Sequence, residues 1–360
     1  MKTLRILTVC LFFLLVMSSI ALAGEWEIKG GIAPLMNWNY RNVGCVYTIN
    51  DEIIYGSSID VATDWAFGYY GSIGYKVDDD FSIRVSGWQY DARGKRQGMV
   101  ESSQEVIVSA RMWDEDIPPL NDTGHPSGYS PVSFGAKEKI DVWSLQFEFV
   151  QKIRSSFGMD CSWVMGVQAK WIEVRNRDNQ EMEGYVDLLD FDDLSVYTEE
   201  FHYCDYEGET DTFAVGPSIG LEMRDQMSKR FSVSGTASLA ILLGSTSTNA
   251  SFAEESARWL VIEDDDDMER YNMYDELRLS SMMGRENYVI PVVELETMFA
   301  FNFFGPFSIE AGPFASFMFN VPQPPKYNYH ESIAMGEQVF QTYNDSISLF
   351  GCRAGIVANF

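Results

Sequence analysis

The chain has 360 residues, of which 26 are basic and 53 acidic, giving a formal net charge of −27 with 46% hydrophobic and 14% aromatic side chains. An acidic excess of this size excludes nucleic acid and anionic surfaces as partners held by bulk electrostatics, and the aromatic content excludes a disordered chain. The length suits one large domain or a single barrel with substantial loops.

The first residues read MKTLRILTVCLFFLLVMSSIALA. Lys2 and Arg5 precede an apolar run that closes on Ala21-Leu22-Ala23, the pattern of a secretory signal peptide over 1–23, which leaves a mature chain of 24–360. Cys10 lies inside the apolar run and not after the small residues, so no lipoprotein anchor is expected. Nothing later offers 18 or so uncharged apolar residues, so no transmembrane helix is expected either.

From Glu25 onward the chain alternates with a period of two. A first strand over 25–35 sets Trp26, Ile28 and Ile32 against Glu25, Glu27 and Lys29. Residues 65–77 set Trp65, Phe67, Tyr69, Ile73 and Tyr75 against Ala66, Gly68, Ser72 and Lys76, and after Asp78-Asp79-Asp80 the alternation restarts with Phe81, Ile83 and Val85. That is a hairpin with a short polar turn. The unit recurs at 140–150 with 160–173, at 213–224 with 231–244, and at 289–303 with 307–319. The last stretch, 346–360, reads SISLFGCRAGIVANF, with Phe360, Ala358, Ile356, Ala354, Cys352 and Phe350 forming one apolar row. An apolar row opposite a more polar one is the mark of a membrane-spanning β-strand.

About ten strands result, an even number as single-chain bacterial barrels prefer. The joints alternate in length: short near 78, 151–159, 225–230 and 304–306, long at roughly 38–62, 92–138, 175–210, 245–288 and 320–345. The expected fold is therefore all-β, a transmembrane antiparallel up-and-down barrel in the bacterial outer membrane, with short periplasmic turns and long extracellular loops. Aromatics fall at strand ends, Trp65, Trp143, Trp171 and Phe213 toward the long loops and Trp26, Tyr75, Phe81, Phe231 and Phe360 toward the short turns, as two interfacial girdles require.

The inward rows carry the candidate pore-lining charges: Lys76, Arg84, Glu148, Lys170, Glu222, Arg224, Glu294, Glu296, Glu310 and Arg353. A ten-stranded lumen laced with opposite charges should be narrow, either a salt-bridged structural interior or a small hydrophilic pore. The acid excess then lies in the loops, where 187–193 and 264–267 gather carboxylates without the glycine and glutamate pattern of an EF-hand. His125, His202 and His330 all fall in predicted loops, and no phosphate loop, CxxC pair or HExxH motif is present. Neither an enzyme nor a cofactor nor a metal site is expected. Of the four cysteines in the mature chain, Cys161 and Cys352 lie on lipid-facing rows, while Cys45 and Cys204 lie in loops on one side of the membrane, where they could pair.

The segment FAVGPSIGLEMRDQMSKRFSVSGTASLAILLG, 213–244, resembles the G-P-x-x-G-L strand, short turn and A-x-L-L-G strand of the Legionella-type major outer membrane protein family. WAFGYYGSIGYKVDDDFSIRVSGWQY, 65–90, is similar to the family's first long hairpin, and PVVELETMFAF, 291–301, to a later strand opening. The resemblance implies a pore-forming outer-membrane barrel with no catalytic or cofactor site to carry over. Phe360 on the last strand resembles the signal by which outer-membrane barrels are recognised for assembly, so outer-membrane lipid and the barrel assembly machinery are the expected partners, with self-association open. The expected function is porin-like passage of small hydrophilic solutes or ions. The alternative is a structural or adhesive barrel whose acidic extracellular loops bind a partner.

Overall fold

A computed structural model describes residues 25–39, 41–50, 53–61, 65–100, 105–108, 129–153, 159–191, 194–264, 267–328 and 339–360. The expected signal peptide, His125 and His330 lie outside the described residues, as do the side chains of Cys45 and His202 and those of both carboxylate clusters.

Ten strands close into an antiparallel barrel: β1 (Glu25–Asn37), β4 (Ala66–Lys76), β5 (Phe81–Val100), β7 (Tyr129–Ile153), β8 (Asp160–Phe191), β9 (Leu194–Asp225), β10 (Phe231–Asp264), β11 (Asp267–Phe304), β12 (Phe307–Asn328) and β13 (Val339–Asn359). Each pairs with its neighbours in sequence, and β1 closes the ring on β13 with Glu27 opposite Asn359 and Asn37 opposite Leu349. The backbone groups of Trp26 and Phe360 exchange two hydrogen bonds at that seam, 2.9 and 2.8 Å. Closure leaves no unpaired edge in the lipid layer, which is what makes β-structure tolerable there. A separate three-stranded sheet, β3 (Ile53–Val61), β2 (Arg41–Asn50) and β6 (Glu105–Val108), forms within the first two external connections.

The outward row is the one the alternation predicts. Ile28, Phe67, Met165, Ile219, Ile241, Leu295, Ile309 and Ile356 are all exposed, which for a lipid-facing surface is a favourable state. Ring pairs mark both margins: Trp26 with Tyr75 and Phe307 with Phe360 on the short-turn side, Trp38 with Phe350 and Trp171 with Phe213 on the other. From Phe360 to Phe350, at a rise of about 3.3 Å and a tilt of about 40°, the girdles stand roughly 25 Å apart, the height of an outer-membrane apolar band.

One expectation needs correction. The described residues of 175–210 and 245–288 are strand and not loop. They are the upper halves of β8 to β11, and 92–100, 129–138, 320–328 and 339–345 likewise continue strands. The wall stands far above the membrane because outside lipid a strand needs no apolar outer row. The run Ser245-Thr246-Ser247-Thr248 keeps the β-branched preference for extended backbone and buries its inner threonines, Thr246 at 1% exposure.

Candidate functional site

The lumen is built in three storeys, beginning with charge at the periplasmic end. Arg84 on β5 donates from Nε to Glu148 at 2.7 Å and from Nη1 to Glu222 at 2.8 Å. Lys29 on β1 lies 3.6 Å from Glu310, which also accepts the Tyr70 hydroxyl at 3.1 Å. One level up, Glu294 on β11 takes a hydrogen bond at one oxygen from Lys170 Nζ at 2.8 Å and from Ser316 at 3.2 Å, and at the other from Gln146 at 2.6 Å. Arg353 on β13 bonds Glu296 and stacks its guanidinium 3.5 Å from the ring centroid of Phe314. Its Nε and Nη2 have no protein partner, and they border a cavity of about 100 Å³ that Tyr70, Arg84, Glu148 and Glu296 also line.

Eight of the ten candidate charges thus come together in this chamber. The other two do not. Lys76 stands at the mouth, pairing with Glu25 at 3.1 Å and Asp79 at 3.2 Å, and Arg224 is exposed at the end of β9. Both sit beside periplasmic turns, where a long side chain can carry its charge out to water.

Above the chamber the lumen is apolar. A single packed cluster takes at least one buried residue from every one of the ten strands. Its largest fully buried members are Leu35, Tyr90, Ile172, Leu242, Ile290, Met318 and Leu349, each at 0 or 1% exposure. Trp88 joins this layer to the chamber below, its ring facing Phe314 at 5.7 Å and carrying the Lys170 ammonium 4.3 Å from its centroid. Sequence reasoning missed the layer, and the reason is local. Leu239-Ala240-Ile241-Leu242-Leu243 is apolar on both rows, so alternation cannot mark Leu242 as inward.

Higher still, the extended wall folds in on itself. Asn320, with φ of 59°, turns β12 away from β11 and donates from Nδ2 to the Val289 carbonyl at 2.9 Å. The following residues cross toward β9, where the Tyr206 hydroxyl bonds the Pro325 carbonyl and Thr210 Oγ1 donates to the Pro322 carbonyl at 3.3 Å. Cys204, Tyr206, Ala250 and Phe252 form a second buried cluster there. The expected partner of Cys204 is Cys45, whose side chain is outside the described residues.

The closed ten-strand ring, the apolar outer band between aromatic girdles and the charged interior define an outer-membrane β-barrel. A family model described as Legionella pneumophila major outer membrane protein precursor matches residues 25–356. The chain belongs to that family, and its place is the bacterial outer membrane. None of the curated proteins matches the sequence. Among solved structures the chain is similar to the outer membrane protease OmpT from Escherichia coli, at 9% identity over 94% of this chain and 99% of that one, with a TM-score of 0.43. It is also similar to the Pseudomonas putida toluene transporter TodX, at 9% identity over 95% and 91% with a TM-score of 0.29. Likenesses this distant carry nothing about activity.

The family's G-P motif has a physical role. Gly216 faces the lumen, and a Cβ there would meet the Ile241 carbonyl oxygen at 1.9 Å, while Pro217 faces lipid; Gly312-Pro313 on β12 repeats the arrangement against the Thr297 carbonyl at 1.8 Å. At both, the pairing with one neighbouring strand skips two residues, β10 for Gly216-Pro217 and β11 for Gly312-Pro313, as glycine and proline in a strand allow.

Proposed function

We propose that this protein is a closed outer-membrane barrel whose working surface is its tall extracellular wall, the structural or adhesive reading of the sequence. One observation carries it: the apolar layer contributed by all ten strands, with Leu35, Leu242, Ile290, Met318 and Leu349 each fully buried in it. Hydrated ions cross such a layer only by giving up their hydration, and an apolar constriction stops them by dewetting. Below it, Arg84, Lys170 and Arg353 each donate a hydrogen bond to a carboxylate, an arrangement suited to bracing the wall. The reading assigns the barrel no catalytic chemistry.

A second reading has its own observation. The charged chamber, with unpartnered Arg353 nitrogens on a small cavity, is what passive passage of small hydrophilic solutes or ions would use, provided the layer above it opened. Liposome swelling separates the two. Vesicles carrying the refolded protein should swell in small sugars no faster than empty vesicles, whereas swelling whose rate falls with sugar size would favour the pore. The extracellular reading is tested by shortening β10 and β11 above residues 250 and 282. The barrel should still resist denaturation while adhesion of cells displaying it to a host surface is lost; unchanged adhesion would sink it.

A further inference from the structure

The chain is strongly acidic, yet six of its cations stand together on the outer wall just beyond the extracellular girdle: Arg93 and Lys95 on β5, Lys137 and Lys139 on β7, Arg175 and Arg177 on β8. Register sets Arg93 opposite Lys139 and Lys139 opposite Arg175, then Lys95 opposite Lys137 and Lys137 opposite Arg177. Two rungs of like charge result, which cross-strand neighbours disfavour. The rung on the membrane side of them is Asp91, Asp141 and Glu173, and the one nearer still is Gln89, Trp143 and Trp171.

These carboxylates offset the cations only in part. Lys139 lies 3.4 Å from Glu173, Arg175 lies 2.9 Å from Glu173 and 2.8 Å from Glu209, and Arg177 lies 3.1 Å from Asp205. Yet the Arg93, Arg175 and Arg177 side chains remain 78, 52 and 56% exposed. Within β5 and β7, the cations Arg93, Lys95, Lys137 and Lys139 face only Asp91 and Asp141, whereas the β8 arginines are paired with Glu209 and Asp205 on β9. β9 sets Glu209 opposite Arg175 and Glu207 opposite Arg177, so the cation excess lies on the β5 and β7 side, and with a screening length of about 8 Å acidic residues farther off do little there.

A second feature adjoins it. The ladder between β4 and β5 stops at Tyr69 opposite Gln89, and above it a cleft of about 490 Å³ opens in the outer wall. Its lining includes the exposed rings of Trp65, Phe67 and Tyr69, together with Arg93 and with Asp91, whose Oδ1 has no hydrogen-bond donor. From the membrane outward the wall therefore offers aromatic rings, then carboxylates, then guanidinium and ammonium groups.

We propose that this wall binds a phosphorylated glycolipid of the outer leaflet. Aromatic side chains at the girdle meet the acyl chain and sugar ring, Asp91 and Asp141 accept sugar hydroxyls, and the cationic rungs take the phosphates, with arginine suited to bidentate contact. Bound phosphate also removes the repulsion within the rungs. The inference stands whether or not the lumen conducts.

The test uses the full refolded chain in detergent micelles, with bisphosphorylated lipid A as the probe and native mass spectrometry counting bound lipid. Saturable binding is expected. Removing both phosphates from the probe should weaken it on the order of a hundredfold, as should Lys137→Ala/Arg175→Ala/Arg177→Ala, with the β-sheet circular dichroism unchanged. Should that triple variant fail to fold, the exposed pair Lys95→Gln/Lys137→Gln must weaken binding on the order of tenfold, while Lys95→Arg/Lys137→Arg must keep it. Equal binding of the dephosphorylated probe, or equal binding by the charge-removed variants, overturns the proposal. So does full displacement of the lipid by millimolar inorganic phosphate, which would make this a free-anion site.

Discussion

Glu294 accepts hydrogen bonds from Lys170, Gln146 and Ser316 in the buried centre of the barrel, so the Lys170 ammonium is worth more than a surface ion pair. Replacing one member of such a pair strands the other charge away from water, at about 3 to 5 kcal/mol, whereas replacing both with apolar or neutral groups of similar volume is near neutral. Lys170→Met alone should therefore lower the urea midpoint of the refolded barrel in micelles, and adding Glu294→Gln should restore most of it. A double variant no better than the single one would show that the pair is not coupled. The chamber was readable from sequence because Arg84, Glu148, Lys170, Glu294 and Arg353 each interrupt a row facing away from an unmistakable apolar one. Lys76 and Arg224 share that row, and only their nearness to a turn, which sets how far a side chain can reach, takes them out of the chamber.

At the scale of the element, the membrane strands were legible and the wall above them was not. Phe350 to Phe360 announces itself because lipid demands an apolar row, but no such demand reaches Thr246 or Thr248, and their strand reads like a polar loop. The inward swing of β12 was equally hidden, since it depends on one residue. Asn320 holds a left-handed backbone and bonds both the Val289 carbonyl and the Asn344 side-chain amide. Above it β11 pairs only with β10 among the described residues, from Asp267 to Pro291. Glycine relieves the backbone and loses the side-chain bonds, while alanine loses both, so Asn320→Ala should be less stable than Asn320→Gly by about 1 to 2 kcal/mol. Hydrogen exchange should show the loss at Val289 to Val293 before the barrel floor. Equal stability of the two variants would mean that this backbone geometry is not held in the folded protein.

For the whole molecule, closure and assembly are separate matters. Phe360 packs on Phe307 at 6.4 Å and its backbone completes the seam with Trp26, while its ring stays 64% exposed at the periplasmic rim. A ring left outside the wall contributes little to closure, which fits a role in recognition by the assembly machinery. Deleting Phe360 should then cut the amount of folded barrel in the outer membrane several-fold in cells while refolding in micelles is little changed. Equal losses in both settings would make the residue structural. The resemblance in 213–244 identified the family, and the ten-strand parity gave its architecture, yet neither reveals whether the lumen is open, because that depends on inward side chains such as Leu242 and Ile290 that sit in runs apolar on both faces. Planar-bilayer recording addresses that point. The refolded protein should give no unitary conductance steps, and replacing Leu242, Ile290, Met318 and Leu349 together with serine should introduce them; steps from the unaltered protein, with a size that the serine replacements leave unchanged, would contradict a lumen closed by its apolar layer.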